Sequence, residues 1–530
     1  MSRRRRQRLH ARLDSGRARV PKILGADVEL GNFILGIAAP GGSGHSASRR
    51  LLREVDGVDS GFASQNVQDW GRTFLPTNGG CAYIDSDHLE IALPETFSAF
   101  DHVAYWRAML GMVRLAMRRA NDGLPEGCRL QVLANCSDGQ DNSYGSHVNV
   151  LLTRTTWDDI FHRRPHYLGY LAAFQISSLI YTGQGKVGSE RGRPHADFQL
   201  SQRADFVETL VGVDTMVHRP IVNTRDEPLC GSGFWENSVG PALARLHVIF
   251  FDSTLCQTAT LLRVGTLQMI VAMLEAGSVN ASLALDDPLE TLGRWSRDPS
   301  LTERARTADG DIRTAVELQF GFLEEAKRFG SRGGFDGIVP DAKRLLGLWE
   351  DTLVKLRAGD FEPLSRRLDW VLKRRLLQRV LERRPELTWR SPELKYLDQL
   401  FSSLDESDGM FWACERAGQV DCVIDGDAIE RAGEDPPVDT RAWTRAHLLR
   451  RIPADRVAQV DWDSVRVRIP RQDPWISRST VVPLPLPFGA TRAENERHFD
   501  EDATLDAVLG ALGAIGEEEF VLSQAPRSVN

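Results

Sequence analysis

None of the seven cysteines in this 530-residue chain forms a CxxC pair or a regular ladder; they stand apart at Cys81, Cys128, Cys136, Cys230, Cys256, Cys414 and Cys422. That scatter argues against a disulfide framework and predicts reduced, mostly core thiols in a cytoplasmic protein. Positive charge is not in excess either. With 65 Lys and Arg against 73 Asp and Glu the net charge is −8, so a general affinity for nucleic acid is not expected. Arg3–Arg6, Arg8, Arg12, Arg17 and Arg19 make the N-terminus basic, but no apolar h-region follows them and a secretory signal is not expected. The most apolar stretch, Thr258 to Gly277, carries Arg263, Gln268 and Glu275 on a helical pattern. It reads as too short and too charged to span a bilayer, hence as a buried helix, and no membrane partner is expected. Gly41–Gly44 (GGSG) lacks the Lys-Ser/Thr that would make it a phosphate loop, and no internal repeat is present.

What is there is ordinary globular composition, 42% hydrophobic and 26% charged, which at this length predicts more than one domain. Residues 1–21 read as a disordered basic tail, 22–415 as the main domain, 416–489 as a small C-terminal domain and 490–530 as an acidic tail with a short helix near Leu505–Ile515. Strands are expected at Lys22–Gly31, Cys81–Asp85, His88–Ala92, Leu130–Asn135, His147–Thr153, His218–Asn223 and Arg245–Phe251. Helices are expected at Phe100–Arg119, Cys256–Glu275, Asp341–Arg357 and Glu362–Arg384. Strands with one polar face, alternating with helices, predict an α+β fold on a largely antiparallel sheet.

The polar faces carry the chemistry. Asp27 and Glu29 leave one side of a strand while Val28 and Leu30 leave the other. His88 and Glu90, His147 and Asn149, and Arg245 and His247 repeat that spacing on three further strands. Carboxylates this close repel unless a cation neutralises them, and a hard divalent ion such as Mg²⁺ favours such oxygen donors together with phosphate. Leu200–Asp205 and Asn223–Pro228 each set one arginine, Arg203 and Arg225, among small polar residues, a pattern suited to bidentate phosphate binding or to a local ion pair. Gly183–Gly188 reads as a tight turn.

Several of these segments occur together in one family. YGSHVN at Tyr144–Asn149, QLSQRAD at Gln199–Asp205, IVNTRDEP at Ile221–Pro228, RLHVI at Arg245–Ile249 and SRDPSL at Ser296–Leu301 resemble, in that order, motifs of the Pup ligase and Pup deamidase/depupylase family. Asn78-Gly79 with Tyr83–Asp85, PPVDTR at Pro436–Arg441 and DWDS at Asp461–Ser464 extend the resemblance from about Ile23 to about Ile469. It implies a glutamine-synthetase-like fold with a curved sheet cradling ATP and Mg²⁺, and a small C-terminal domain alongside. It further implies as partners a small Pup-like modifier and its lysine-linked protein targets. By motif position Asp85 resembles the catalytic aspartate, a base for lysine or water. Glu29, Glu90 and His247 look like metal ligands, with His147 nearby and Asp27 where the family has Glu; Arg203 and Arg225 look like phosphate-binding residues.

The chain also departs from the pattern. Val148 interrupts a His-Glu-Asn motif, Leu229 ends Asp-Glu-Pro where His is usual, and Gln257 replaces a usual Glu. His88, three residues after Asp85, and the SRDPSL, PPVDTR and WDS segments lean towards the deamidase/depupylase branch. The short Gly31–Asn78 interval and Asp369–Arg374 resemble the ligases. The expected activity is therefore ATP- and Mg²⁺-dependent cleavage at a modifier's C-terminal Gln or isopeptide bond. Ligation of a Glu-ended modifier to lysine, or a catalytically weakened nucleotide- or modifier-binding paralogue, are the alternatives.

Overall fold

Alternation in the first strand decides which way the main sheet faces. In β1 (Leu24–Leu35), Leu24, Ala26, Val28 and Leu30 are buried in the principal core, and Asp27 and Glu29 leave on the opposite side. The computed structural model describes residues 19–37, 41–60, 71–230, 243–469 and 476–520. In chain order the next strands are β2 (Val58–Asp59), β3 (Thr73–Phe74), β4 (Cys81–Asp85), β5 (His88–Ala92), β6 (Arg129–Leu133) and β7 (Ser146–Thr153). Then come β8 (Lys186–Val187) with β9 (Phe198–Gln199), β10 (Val207–Gly212) parallel to β11 (Arg219–Asn223), and β12 (Leu243–Val248). The main sheet has the order β12-β7-β1-β5-β4-β3-β2, antiparallel throughout, and β6 pairs with the far half of β1. All four strands with the expected polar spacing thus adjoin in one sheet.

Helices pack on its apolar face. Helix α1 (Gly44–Arg53) lies beside β1, and α2 (Ala99–Asp122) starts where the Ser98 hydroxyl accepts from Phe100 N at 3.1 Å. Helix α3 (Gln257–Ala276), the apolar stretch singled out in the sequence, is long and apolar enough to cross a membrane by length and composition. To that extent the sequence expectation is corrected, but every residue from Gln257 to Glu275 is buried in the protein. Its charges are satisfied there. Glu275 pairs with buried Lys22 at 2.7 Å and accepts from Val20 N and Thr153 N, and Arg263 donates to Ser146 Oγ at 2.9 Å.

Four expectations change. The helix expected over 362–384 is broken: Phe361–Leu364 is followed by an extended Leu368, and a new helix begins at Asp369. Asp369 is spent on another element, accepting from Leu255 N at 2.6 Å and from Cys256 N at the start of α3; burial raises its pKa to about 6. At the N-terminus, residues 1–18 of the expected tail lie outside the described residues, and Val20 is already buried against Ile23, Leu151 and Cys230. At the other end, residues 416–434 still pack on the principal core through Val420 and Ala432. A second core gathers Leu448, Val460, Val465, Val482 and Val508 with Phe74 and Cys81. It backs the antiparallel sheet β15 (Val457–Val460), β16 (Ser464–Ile469), β17 (Ile476–Pro483) and β18 (Ile515–Phe520), numbered after a small pair β13 (Arg304–Arg306) and β14 (Ile312–Thr314). The acidic segment expected to trail from 490 therefore supplies, at β18, the last strand of this sheet; residues 521–530 lie outside the described residues.

One buried ion group ties the two cores. The Glu95 carboxylate accepts from Arg441 Nε at 2.6 Å and from Arg445 Nη2 at 2.6 Å, and Arg445 also donates to Gly79 O and Trp462 O. Burial alone would raise the Glu95 pKa, but Arg445 and Arg441 prevail and hold it at about 2. A depressed carboxylate contributes stability above its unfolded value and loses it as pH falls towards its folded one. Chemical denaturation should therefore show stability declining from about pH 4.5 to about pH 2 by roughly 3 kcal/mol on account of this group, a decline that Glu95→Gln flattens. At neutral pH the same substitution should cost about 3–5 kcal/mol, because two buried guanidinium groups lose their counter-charge.

Candidate active site

Register assembles the site. Glu29 stands directly across from Glu90 on β5, Asp27 across from His147 on β7, and Asn149 across from His247 on β12. Tyr83 pairs with Glu90 across β4–β5, and Asp85 pairs with His88 where that hairpin closes. Ligand atoms of Glu29, Asp85 and Glu90 lie within 4.8 Å of one another, as do those of Asp27, His147 and His247. The expected metal-binding residues thus share one face but fall into two groups, with His247 in the Asp27 group and Asp85 among the carboxylates. Val148 is buried on the opposite face, so the carboxylate missing at that position would not have reached this one.

Hydrogen bonds define how the imidazoles are presented. His147 Nδ1 is 2.9 Å from Asp27 Oδ2, and Asn149 Nδ2 donates to Asp27 Oδ1. Both Asp27 oxygens are therefore engaged in orienting neighbours. Asn149 Oδ1 accepts from Arg245 Nη1 at 3.1 Å and lies 2.8 Å from His247 Nδ1, which must carry the hydrogen. That leaves Nε2 of both histidines as lone-pair donors, the arrangement typical of ligating histidines held by a carboxylate or amide behind them. His247 Nε2 is buried without a hydrogen-bond partner. A Cβ on Gly145 would strike His147 Nε2 and Glu29 Oε1, so the turn before β7 requires glycine and His147 reaches towards the carboxylates.

The charge pattern follows. Burial, then the charges of Asp27 and Glu29, push Glu90 well above the usual carboxylate range, although Tyr83 OH donates to it at 2.7 Å. Burial also opposes ionisation of Glu29 and Asp27, but it is outweighed. Glu29 is lowered by His88, His147 and Gly145 N–H, and Asp27 chiefly by His147. Burial and then His147 hold His247 well below its ordinary value, hence neutral. His88 Nδ1 sits 3.4 Å from Glu29 Oε2, within ion-pair range, and its ring lies 4.4 Å from that of Tyr144. Three gathered carboxylates, one with its pKa raised by burial and its neighbours' charge, with an orphaned imidazole nitrogen nearby, are what a bound divalent cation would relieve. Glu29 and Glu90 in one group, and Asp27 with the Nε2 atoms of His147 and His247 in the other, offer donors that fit Mg²⁺, with Asp85 beside the first.

Asp27, Glu29, Asp85, Glu90 and His147 line a cavity of about 1110 Å³ that extends towards the second core at Trp462, with His247 behind its wall. Arg203 lines it and donates to Ser143 Oγ at 3.3 Å and to Tyr144 O. Arg225 also lines it, half-exposed and loosely paired with Glu227 at 4.0 Å. Sequence reasoning missed Arg219, which donates to Ser143 O at 2.7 Å and whose pKa is brought to about 10 by burial and then by Arg203. It missed Tyr83 as a partner of Glu90, although Tyr83 and Asp85 share the period-two spacing used elsewhere. Of the remaining departures, Leu229 holds φ 50° with its carbonyl accepting from Arg441 Nη2 at 2.8 Å. Gln257 is buried, its Oε1 accepting from Val423 N and Ile424 N at 2.8 and 2.9 Å, a structural task that an amide performs without burying charge. Gly185 is likewise structural, since its carbonyl accepts from Lys373 Nζ at 2.7 Å.

Comparison with known proteins agrees with this geometry. The family described as Pup-ligase protein matches residues 44–466. A depupylase from Acidothermus cellulolyticus is 36% identical over 439 residues, 82% of this chain and 82% of the relative. A Pup–protein ligase from Acidimicrobium ferrooxidans is 33% identical over 436 residues, 79% of this chain and 91% of the relative. Among solved structures, the Pup ligase PafA in complex with ADP superposes with a TM-score of 0.68 at 25% identity, over 82% of this chain and 90% of that one. The fold is the glutamine-synthetase-like one that the motifs implied.

Because burial and its acidic neighbours favour the protonated form of Glu90, cation affinity should rise with pH and binding should release acid. Calorimetry with Mn²⁺ in buffers of different ionisation enthalpy measures that release, which Glu90→Gln should abolish. Gly145→Ala should weaken Mn²⁺ binding on the order of tenfold or more by displacing His147 and Glu29.

Proposed function

The chain belongs to the Pup-ligase protein family, a family of enzymes, and from that premise we propose that it is an ATP- and Mg²⁺-dependent deamidase/depupylase. Its substrate is the C-terminal Gln side chain of a Pup-like modifier, or the isopeptide bond joining that modifier to a protein lysine. The observation that carries this reading is Asp85 at the end of β4, in the cavity and grouped with Glu29 and Glu90, with His88 opposite it across the hairpin.

The chemistry asks for a group that moves a proton at an amide. Asp85 takes a proton from water as its oxygen attacks the side-chain carbonyl carbon; the C–N bond then breaks and the proton passes to the departing amine or ammonia. Arg203, Arg219 and Arg225 bind nucleotide phosphate through charge-assisted hydrogen bonds. Glu29, Glu90, Asp27, His147 and His247 would hold Mg²⁺, which would supply neutralising charge for phosphate and for oxyanion character at the carbonyl. Asp27 and Asn149 keep the imidazoles in their donor orientation, and Tyr83 orients Glu90. The seven cysteines are all free, which suits the cytoplasm as the place of reaction.

Purified protein with Mg-ATP should convert a Gln-ended modifier to its Glu form and release lysine-linked targets, both read by mass spectrometry. Asp85→Asn should slow this on the order of a hundredfold or more while nucleotide still binds. If the wild type instead joins a Glu-ended modifier to protein lysines, the ligase assignment replaces this one. Nucleotide binding with neither turnover would identify a binding paralogue.

A further inference from the structure

The hairpin that presents Asp85 is backbone-strained. Between β4 and β5 the two turn residues, Ser86 and Asp87, hold φ 46° and φ 74°, a left-handed pair that hairpins normally fill with Asn-Gly. Neither residue is glycine, so each carries a cost of about 1–2 kcal/mol that neighbouring structure must offset. Such a turn keeps its shape only if something outside it holds it.

That something is Asn32. β1 and β5 pair as far as Leu30 opposite Leu89, after which β1 turns away to pair with β6. At this divergence the buried Asn32 side chain replaces the missing rung, its Oδ1 accepting from Leu89 N at 2.8 Å. Its Nδ2 donates to Asp87 O at 3.2 Å and to Gly44 O, at the start of α1, at 2.8 Å. One amide thus joins β1, α1 and the β5 side of the strained turn. Gly44 allows the approach, because a Cβ there would stand 3.2 Å from Asp87 O. From the α1 side His45 Nδ1 lies 2.9 Å from Asp87 Oδ1, and within the turn Ser86 Oγ donates to Asp85 Oδ1 at 3.0 Å.

We propose that Asn32 is a positioning residue for Asp85, clamping the Ser86–Asp87 turn so that the carboxylate is held towards Glu29 and Glu90. The proposal rests on Asp85 being the proton-transferring group. A displacement of about 1 Å at such a group costs up to a hundredfold in rate, so the clamp acts on turnover rather than on substrate affinity.

Steady-state kinetics and hydrogen exchange on the full chain with Mg-ATP and modifier test it. Asn32→Ala should lower kcat on the order of tenfold or more, with KM for modifier and ATP within about threefold, and should speed amide exchange across Ser86–Leu89 on the order of tenfold while α3 is unchanged. Asn32→Asp keeps the acceptor for Leu89 N but loses the donors, and should behave alike; it carries the test if the alanine variant does not fold. Adding Ser86→Asn and Asp87→Gly, which relaxes the turn, should restore most of the lost kcat in the Asn32→Ala background, a rescue that a merely structural asparagine would not give. Unchanged exchange at the turn, unchanged kcat despite faster exchange, or absence of rescue overturns the proposal. If the wild type turns over neither substrate, the functional reading falls separately, and exchange at the turn alone upholds or overturns the clamp.

Discussion

Like charges forced together by strand register are the constraint on which this site depends. An antiparallel ladder leaves no choice about what stands opposite what: once β1 pairs with β5 through Leu30 and Leu89, Glu29 must face Glu90. Carboxylates so placed cost free energy in an empty protein and repay it when a cation arrives. The surroundings are arranged around that tension. His88, His147 and the Gly145 amide lower the pKa of Glu29, whereas burial and two neighbouring negative charges raise that of Glu90. One face of one sheet therefore holds two carboxylates whose surroundings push their acidities in opposite directions.

Much of this was legible in the sequence because its signal is local. Period-two spacing at 27/29, 88/90, 147/149 and 245/247 reports which residues share a face, and the motif order reports the family. The pairing of those strands was not legible, nor was the division of the donors into two groups. Asp27 reads as a ligand in the sequence, and the structure groups it with His147 and His247 while its oxygens also meet His147 and Asn149, a fact of distance between strands more than a hundred residues apart. Arg219 escaped notice because nothing beside it in the chain marks it; its partner is Ser143 O, reached only through folding. The broken helix near Leu368 escaped for a similar reason, since Asp369 answers to amides at the start of α3. The last strand was hidden by its composition. Three glutamates in Ile515–Phe520 resemble a solvated tail, yet β17 pairs with this segment residue by residue.

The cavity belongs to both cores at once. Its donors come from the main sheet, while Arg441 and Trp462 approach from the side of the second core, and Glu95 fixes that approach through two guanidinium groups. Leu229, on the loop after the Arg225 segment, is held through its carbonyl by the same Arg441. Wall and floor are thus mechanically coupled by one carboxylate, which limits how far the Arg225 loop can drift from the main sheet.

The buried pairing of Lys22 with Glu275 has a consequence for biosynthesis. Lys22 emerges from the ribosome long before its counter-ion is translated, so the edge of β1 can be sealed only after most of the main sheet has been made. Until then an ammonium group stands where the finished protein admits no water, whereas every partner of Glu275 is already made when α3 emerges. The nascent chain is therefore committed to late closure: its first ordered strand waits for a helix more than two hundred residues downstream, and chaperones or modest delays in translation would act on that interval rather than on the finished enzyme.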